Sequence, residues 1–511
     1  MNNLQFDWLA KWALYTPNKF FLREYDSGKE WSFSDFNNRA NHLAEYLTEE
    51  VKLSRGSRLA VYSLNSAEHI LLFGACVKAG LVLVPLNFRL TPAELDAQIN
   101  DANPSLFIYA GEFSDQVKVL QSIKQDVNVL NLSVVTDFLC GEFEIKSNVT
   151  LHDIDENDAV MLLYTAGTTG VSKGVTITHK MLFYNAVNTG LRLDINSQDH
   201  TQSYAPFFHT GGWNVLFTPF LLHGASHTIL RKFDAALILE LMEKEKTTLL
   251  FGVPTMLQMM AECEHFEKTD LSSVRYAIVG GAAMPIPLIE TWHAKGVYIR
   301  QGYGLTEVGP NCFSLHQDDA IRKIGSIGFP NFYIDVKIVK DDGPEAGVGE
   351  PGELWLKSPV VTPGYWRKPE ETAEAITDGW FHTGDIVKRD DEGYFYVVDR
   401  KKNMYISGGE NVYPAETEKL LYTMEEIKEA AVIGVPDERW GESGKIYAVL
   451  NKESKLTASD LIQFCKGKLA GYKIPKHAEI IDEIPKTDAG KINKRELLKR
   501  HLNQIQLTSQ N

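Results

Sequence analysis

The sequence predicts an α/β protein: a large N-terminal domain of doubly wound sheets with a β-rich subdomain, then a small, mobile α+β C-terminal domain. Three observations carry this. Short apolar strands alternate with helix signals through the first part of the chain, and strands that alternate with helices belong to parallel sheets. Between about Ser326 and Val398 the texture changes to short strands such as "GELWLKS" and "GYFYVVD", separated by Gly, Pro and Asp turns. After "DRKKN" a new pattern begins, with helices expected near Pro414–Tyr422 and Ala458–Ala470. The expected domains are therefore residues 1–398, a hinge at 399–403, and residues 404–511.

In order along the chain, "RLAVYSL" predicts a strand, Asn65 or Ser66 a helix cap, Ala67 to Ala79 an amphipathic helix, and "LVLVP" the next strand. The βα signal recurs at "TLLFGVPTMLQMMAE", with Pro254 near a helix start, and at "RYAIVGGAAMPIPLIETWHAKGVYIRQGYG". The most apolar stretch, "HILLFGACVKAGLVLVPLNF", contains Lys78, Gly80 and Pro85. It reads as helix, Gly cap and buried strand, not as an integral membrane segment.

The net charge of −15 argues against nucleic acid as a partner, because duplex binding needs a basic face. Cys76, Cys140, Cys263, Cys312 and Cys465 are odd in number and far apart, so neither a disulfide framework nor a zinc site is indicated. With no basic-then-apolar leader and no peroxisomal address at "LTSQN", a cytoplasmic location is expected. A homodimer is compatible with the sequence, which carries no sign for or against it.

The segment "YTAGTTGVSKGV", Tyr164 to Val175, cannot pack a core. A Gly-rich turn exposes backbone N–H groups as a nest for an anion, hydroxyls add donors, and Lys173 adds a charge. A polyphosphate fits this set, although the common NTPase pattern fails because Val171 and Ser172 separate Gly170 from Lys173. A plain surface loop between strand and helix is the alternative on composition alone.

Five further motifs follow in order: "PFFHTGG", "VGGAAMP", "QGYGLTEVGP", "HTGDIVKRDDEGYFYVVDRKKNMYISGGENVYPAE" and "PKTDAGKINKREL". Together with the first they resemble the adenylate-forming superfamily of acyl-CoA synthetases, coumarate–CoA ligases, luciferases and peptide-synthetase adenylation domains. The resemblance runs from about Trp8 to Leu498, and the texture is most like a fatty acyl-CoA synthetase. The resemblance implies the cosubstrates ATP and CoA, a small carboxylic acid as substrate, and Mg²⁺. Thr165, Gly167, Thr168, Thr169, Gly170 and Lys173 form the phosphate loop, with Ala166 where Ser is typical and Ser172 where Pro is typical.

The same likeness assigns the remaining candidates. Tyr303 would stack on adenine, Thr306 would donate to the α-phosphate, and Glu307 would hold Mg²⁺, with Thr165 as a second oxygen ligand. Gly280, Gly281 and Ala282 would pass the adenine edge and the acyl pocket, and Gln301, Gly302 and Gly304 would leave space beside them. Asp385 and Arg400 would contact ribose, with Val397 nearby. His209 would gate the acyl tunnel in a steric and orienting role, since a carboxylate is already ionised at pH 7. Lys491 would bridge carboxylate and α-phosphate, Lys402 would be the hinge, and Gly408 and Gly409 would admit a pantetheine arm. Trp440, Tyr472 and Lys473 would line the outer CoA channel. Trp213 is left between two roles, closing a tunnel or packing in the core.

The implied reaction is attack of the carboxylate on the ATP α-phosphorus, giving acyl-AMP, followed by attack of the CoA thiol. Aryl or coumarate-type acids stand second to medium- and long-chain fatty acids. A carrier-protein-loading adenylation enzyme, a luciferase-like oxygenase and a catalytically dead scaffold are the competing readings.

Overall fold

The computed structural model describes residues 5–123, 128–144, 153–165, 172–281, 284–407, 410–437, 439–451, 454–487 and 490–508. The chain forms two compact units. The first comprises Met1–Val336 and Leu356–Phe381, the second Lys337–Trp355 and His382–Asn511.

Among the described residues, three sheets lie wholly within the first unit. In a six-stranded sheet the order is Asn128–Asn131, Leu106–Tyr109, Arg58–Tyr62, Val82–Pro85, Ala159–Thr165, Lys173–Thr178. All neighbours run parallel except the last pair. A five-stranded sheet starts with three parallel strands, Leu249–Gly252, Tyr276–Val279 and Tyr298–Tyr303, and continues antiparallel into Phe313–Ser314 and Phe329–Pro330. The third sheet orders Glu30–Ser32, Phe20–Glu24, Ser226–Ile229 and His200–Ser203. The alternation of strand and helix read from the sequence is thus the construction of this unit.

Helix Ala67–Ala79 keeps its predicted bounds, capped by the Ser66 hydroxyl on His69 N–H and closed by Gly80 in the left-handed region. The amphipathic expectation fails here. Every residue of this helix is buried, because it is covered on all sides as the centre of the largest core cluster. Lys78 is included: its ammonium donates to Asp7 at 2.7 Å and to Asn37 at 2.6 Å with no exposed side-chain surface. The charge that spoils a membrane span in the sequence is neutralised inside the protein. Among the described residues, no helix is long and apolar enough to cross a membrane.

In the second unit, strands Ile427–Asp437 and Gly441–Leu450 form a long antiparallel ladder. Tyr405–Ser407 and Glu410–Val412 extend the sheet on one side, and His477–Ile480 joins Gly441–Leu450 in parallel. Helix Pro414–Leu421 matches its expectation. Helix Ala458–Cys465 stops five residues short of Ala470, because the chain turns at Gly467 with φ +74°. The β-rich stretch is present as Asp335–Val339, Gly352–Lys357, Trp380–Arg389 and Phe395–Arg400. The predicted hinge segment contains the single turn Lys401–Asn403 within the second unit.

Candidate active site

The phosphate segment joins two antiparallel strands, not a strand and a helix. Ala159–Thr165 and Lys173–Thr178 are laddered in register down to Thr165 opposite Lys173. Residues 166–171, and with them Gly167, Thr168, Thr169 and Gly170, lie outside the described residues, as do Ala282, Gly408 and Gly409. What is described is the frame. Thr165 Oγ1 donates to Lys173 O at 3.5 Å, and Tyr164 Oη donates to Asp101 at 2.8 Å. Gln98 Nε2 donates to Ser172 Oγ at 3.4 Å, a tether that a proline at this position lacks.

The strand leading into "GYGLTE" runs on through Gly302 and Tyr303, whose ring meets Phe313 edge-on at 5.7 Å. Thr306 and Glu307 begin the short turn Thr306–Val308. Gly304 makes room for protein, not ligand: a Cβ there would lie 2.3 Å from Gly309 O. Gly280 and Gly302 are looser, with nothing closer than 3.7 Å to a Cβ. Gly281, at φ +81°, occupies a conformation that other residues adopt only under strain. Gln301 Oε1 accepts from Met284 N–H at 3.5 Å.

Glu307 and Lys173 are brought together by a residue that sequence reasoning missed. Tyr365 Oη donates to Glu307 Oε1 at 3.1 Å, and the Lys173 ammonium lies 4.9 Å from the centre of the same ring. Burial, and then the Glu307 charge, pushes the phenol well above its ordinary range, so the hydroxyl stays a proton donor. The backbone holds Tyr365 there. Val175 bridges Tyr365, Trp366 N–H donates to Gly174 O at 2.7 Å, and Thr362 N–H donates to Glu307 O at 2.8 Å. The available signal was the run "GYWRKP", aromatic residues in a Gly/Pro-rich stretch.

His209 sits in the turn before residues 211–215, its ring 4.4 Å from that of Phe208, which meets Phe88 edge-on at 5.1 Å. Trp213 packs in the core. It is fully buried, stacked on Phe207 at 4.3 Å and bonded through its indole N–H to Phe207 O at 2.6 Å.

The remaining candidates lie in the second unit. Asp385 and Arg400 face each other across the antiparallel pair and form an ion pair of 2.7 Å, with only 2% of the Asp385 side chain exposed. Val397 is opposite Val387 in the same ladder. The Lys402 ammonium is held below its ordinary value, first by burial of its amine end and then by Arg400, though the residue as a whole is exposed. Lys491 O accepts from Thr487 N–H at 2.7 Å, and Lys486 bridges Ile492. Trp440 carries Arg439 over its ring at 4.9 Å and Lys476 at 5.9 Å. Lys473 is engaged by Glu416 at 2.7 Å, beside Tyr472.

A family model described as AMP-binding enzyme matches residues 9–366, and one described as AMP-binding enzyme C-terminal domain matches residues 416–491. The chain belongs to the AMP-binding enzyme family. A feruloyl-CoA synthase from Amycolatopsis sp is 37% identical over 494 residues, 96% of this chain and 98% of that one. A long-chain-fatty-acid–CoA ligase from Mycobacterium tuberculosis is 34% identical, over 95% of this chain and 96% of that one. The solved structure of o-succinylbenzoate CoA synthetase from Bacillus subtilis, in complex with ATP and magnesium ion, superposes with a TM-score of 0.85 at 29% identity. It covers 96% of this chain and 99% of that one. This AMP-binding enzyme is an acid–thiol ligase of the AMP-forming class, as the six motifs implied. Its relatives act on aromatic as well as fatty acids, so the class of ligase is fixed and the acid is not.

Proposed function

We propose that this enzyme converts a carboxylic acid, ATP and CoA into acyl-CoA, AMP and pyrophosphate through an acyl-AMP intermediate. The observation that carries the reading is the convergence of Glu307 and Lys173 on opposite parts of Tyr365, which places an acidic and a cationic group at one end of the phosphate hairpin. Thr306, Lys173 and the hairpin's donors orient the triphosphate, and His209 orients the acid. Lys491 bridges the two anions in the first step, where its charge offsets their repulsion. The C-terminal lobe then turns about Lys402, so that the thiol reaches the carbonyl Lys491 had occupied. Asp385 and Arg400 hold ribose, and Gly408, Gly409 and Trp440 receive CoA.

Glu307 and Thr165 present only oxygen donors, the set Mg²⁺ prefers, and they are the residues that would hold it; the ion's chemistry there is to offset phosphate charge. The o-succinylbenzoate enzyme supports this, since it was captured with ATP and magnesium ion. No carboxylate stands in "PFFHTGG" to hold an amino group, which favours a simple acid over an amino acid.

For the acid we carry forward a medium- or long-chain fatty acid. A specific observation supports a second reading, an aryl acid. The ring of Phe208 adjoins His209 and is met by that of Phe88, and the feruloyl-CoA synthase is somewhat more similar in sequence than the fatty-acid ligase. Pyrophosphate release across a panel of fatty, aryl and arylpropenoic acids, with and without CoA, tests both. Rapid CoA-dependent turnover with one class selects it, and turnover with no acid overturns the assignment.

A further inference from the structure

We propose that Tyr365 is a positioning residue for the metal-bound nucleotide, its hydroxyl aligning the Glu307 carboxylate and its ring face steadying Lys173. This rests on the reading above, in which Glu307 holds a divalent cation and Lys173 a phosphate. The two groups come from distant parts of the sequence, and Tyr365 touches both, through the O–H on Glu307 at 3.1 Å and through the ring under the Lys173 ammonium at 4.9 Å.

Residues 362–366 act as a splint between the hairpin and the Thr306–Val308 turn. Thr362 N–H donates to Glu307 O at 2.8 Å, and Thr362 Oγ1 donates to Thr176 O at 2.7 Å. Thr176 N–H donates to Gly364 O at 3.2 Å, and Trp366 N–H to Gly174 O at 2.7 Å. On the far side, Tyr365 N–H donates to Thr372 Oγ1 at 3.0 Å, and Trp366 Nε1 donates to Asp101 O at 3.2 Å. The backbone that carries the phenol is thus held on both sides. A carboxylate oxygen that accepts a fixed O–H is oriented before any ligand arrives. Such preorganisation spares the cost of ordering the carboxylate during binding. The ring supplies the complementary function, since a cation over an aromatic face is attracted to it.

The test is binding of a fluorescent ATP analogue to the full-length protein without any acid, with Mg²⁺ and with EDTA, in wild type, Tyr365→Phe, Glu307→Gln and the double variant. Tyr365→Phe keeps the ring and the packing and removes only the O–H. We expect its melting temperature and its affinity in EDTA to match wild type, while the enhancement of binding by Mg²⁺ falls about tenfold, the scale of one hydrogen bond to a charged group. In the Glu307→Gln background, Tyr365→Phe should cause no further loss, because both changes act on the same carboxylate. A wild-type Mg²⁺ enhancement in Tyr365→Phe, or full additivity in the double variant, overturns the inference. Absence of any Mg²⁺ enhancement in the wild-type protein overturns the underlying reading of Glu307 as well.

Discussion

Arg400 Nε lies 2.7 Å from Asp385 Oδ1, the two residues facing each other across neighbouring antiparallel strands. The arginine shields the carboxylate from solvent, and a ribose reaching Asp385 must displace or share that contact. Asp385→Ala is therefore expected to raise the KM for ATP by about 10- to 100-fold, the scale of lost hydrogen bonds to a charged group. It should also abolish the preference for ATP over 2′-deoxy-ATP. Retention of that preference in the variant would remove the ribose role.

Lys491 carries the most specific kinetic expectation. Lys491→Ala should slow adenylate formation by about 10²–10³, the scale of losing one transition-state donor. Thioester formation from supplied acyl-AMP should remain near wild type. Single-turnover assays of the two half-reactions separate these, and an equal loss in both would contradict a lysine that serves only the first.

Lys78→Ala tests the buried pair. It would leave Asp7, 3% exposed, and Asn37 facing a void. Removing one partner of a buried pair costs about 3–5 kcal/mol. Urea denaturation should show a loss of that size, and a change under 1 kcal/mol would mean that water or a rearranged Asn37 replaces the ammonium (about one ordinary hydrogen bond).

Three buried histidines are expected to weaken the fold in acid. Burial lowers His69 to about 3, His227 to about 3 and His179 to about 4. The folded values lie below the unfolded value of about 6.5, so the unfolded chain binds more protons between them. Stability should be unaffected by these groups above about pH 6.5 and should fall as pH drops toward 4, by up to about 1.4 kcal/mol per pH unit for each histidine. Denaturation midpoints measured from pH 7.5 to 4.5 check this, and a flat profile would show that the rings find charge partners on protonation.

The departures in the phosphate loop give a further expectation. Ser172→Pro removes the Gln98 contact and stiffens the backbone at once. The lost bond is long and weak, so the stiffening should dominate, and ATP affinity should equal or exceed that of wild type. A clear drop, with folding intact, would show that the serine tether has replaced the proline constraint.

Local signals were legible and long-range ones were not. Ser66 and Gly80 declared the ends of their helix because caps and left-handed turns are written in adjacent residues. The order of six motifs gave the family because each motif is short. Trp213 could not be placed from its neighbours, since stacking on Phe207 and full burial depend on how residues 211–215 fold back. Tyr365 was invisible for the same reason: its partner Glu307 is 58 residues away, and nothing in "GYWRKP" announces a carboxylate. The covered helix Ala67–Ala79 misled by its polar letters, Glu68, His69 and Lys78, which look like a solvent face and each find a polar partner inside.

That internal pairing has a practical side. Asp7, the cap residue just before helix Trp8–Tyr15, is the counter-charge for an ammonium within a large core cluster. Trimming the first eight residues, by a protease or in cloning, would leave the buried Lys78 ammonium with Asn37 but without its counter-charge. So small a deletion would then behave like a core defect.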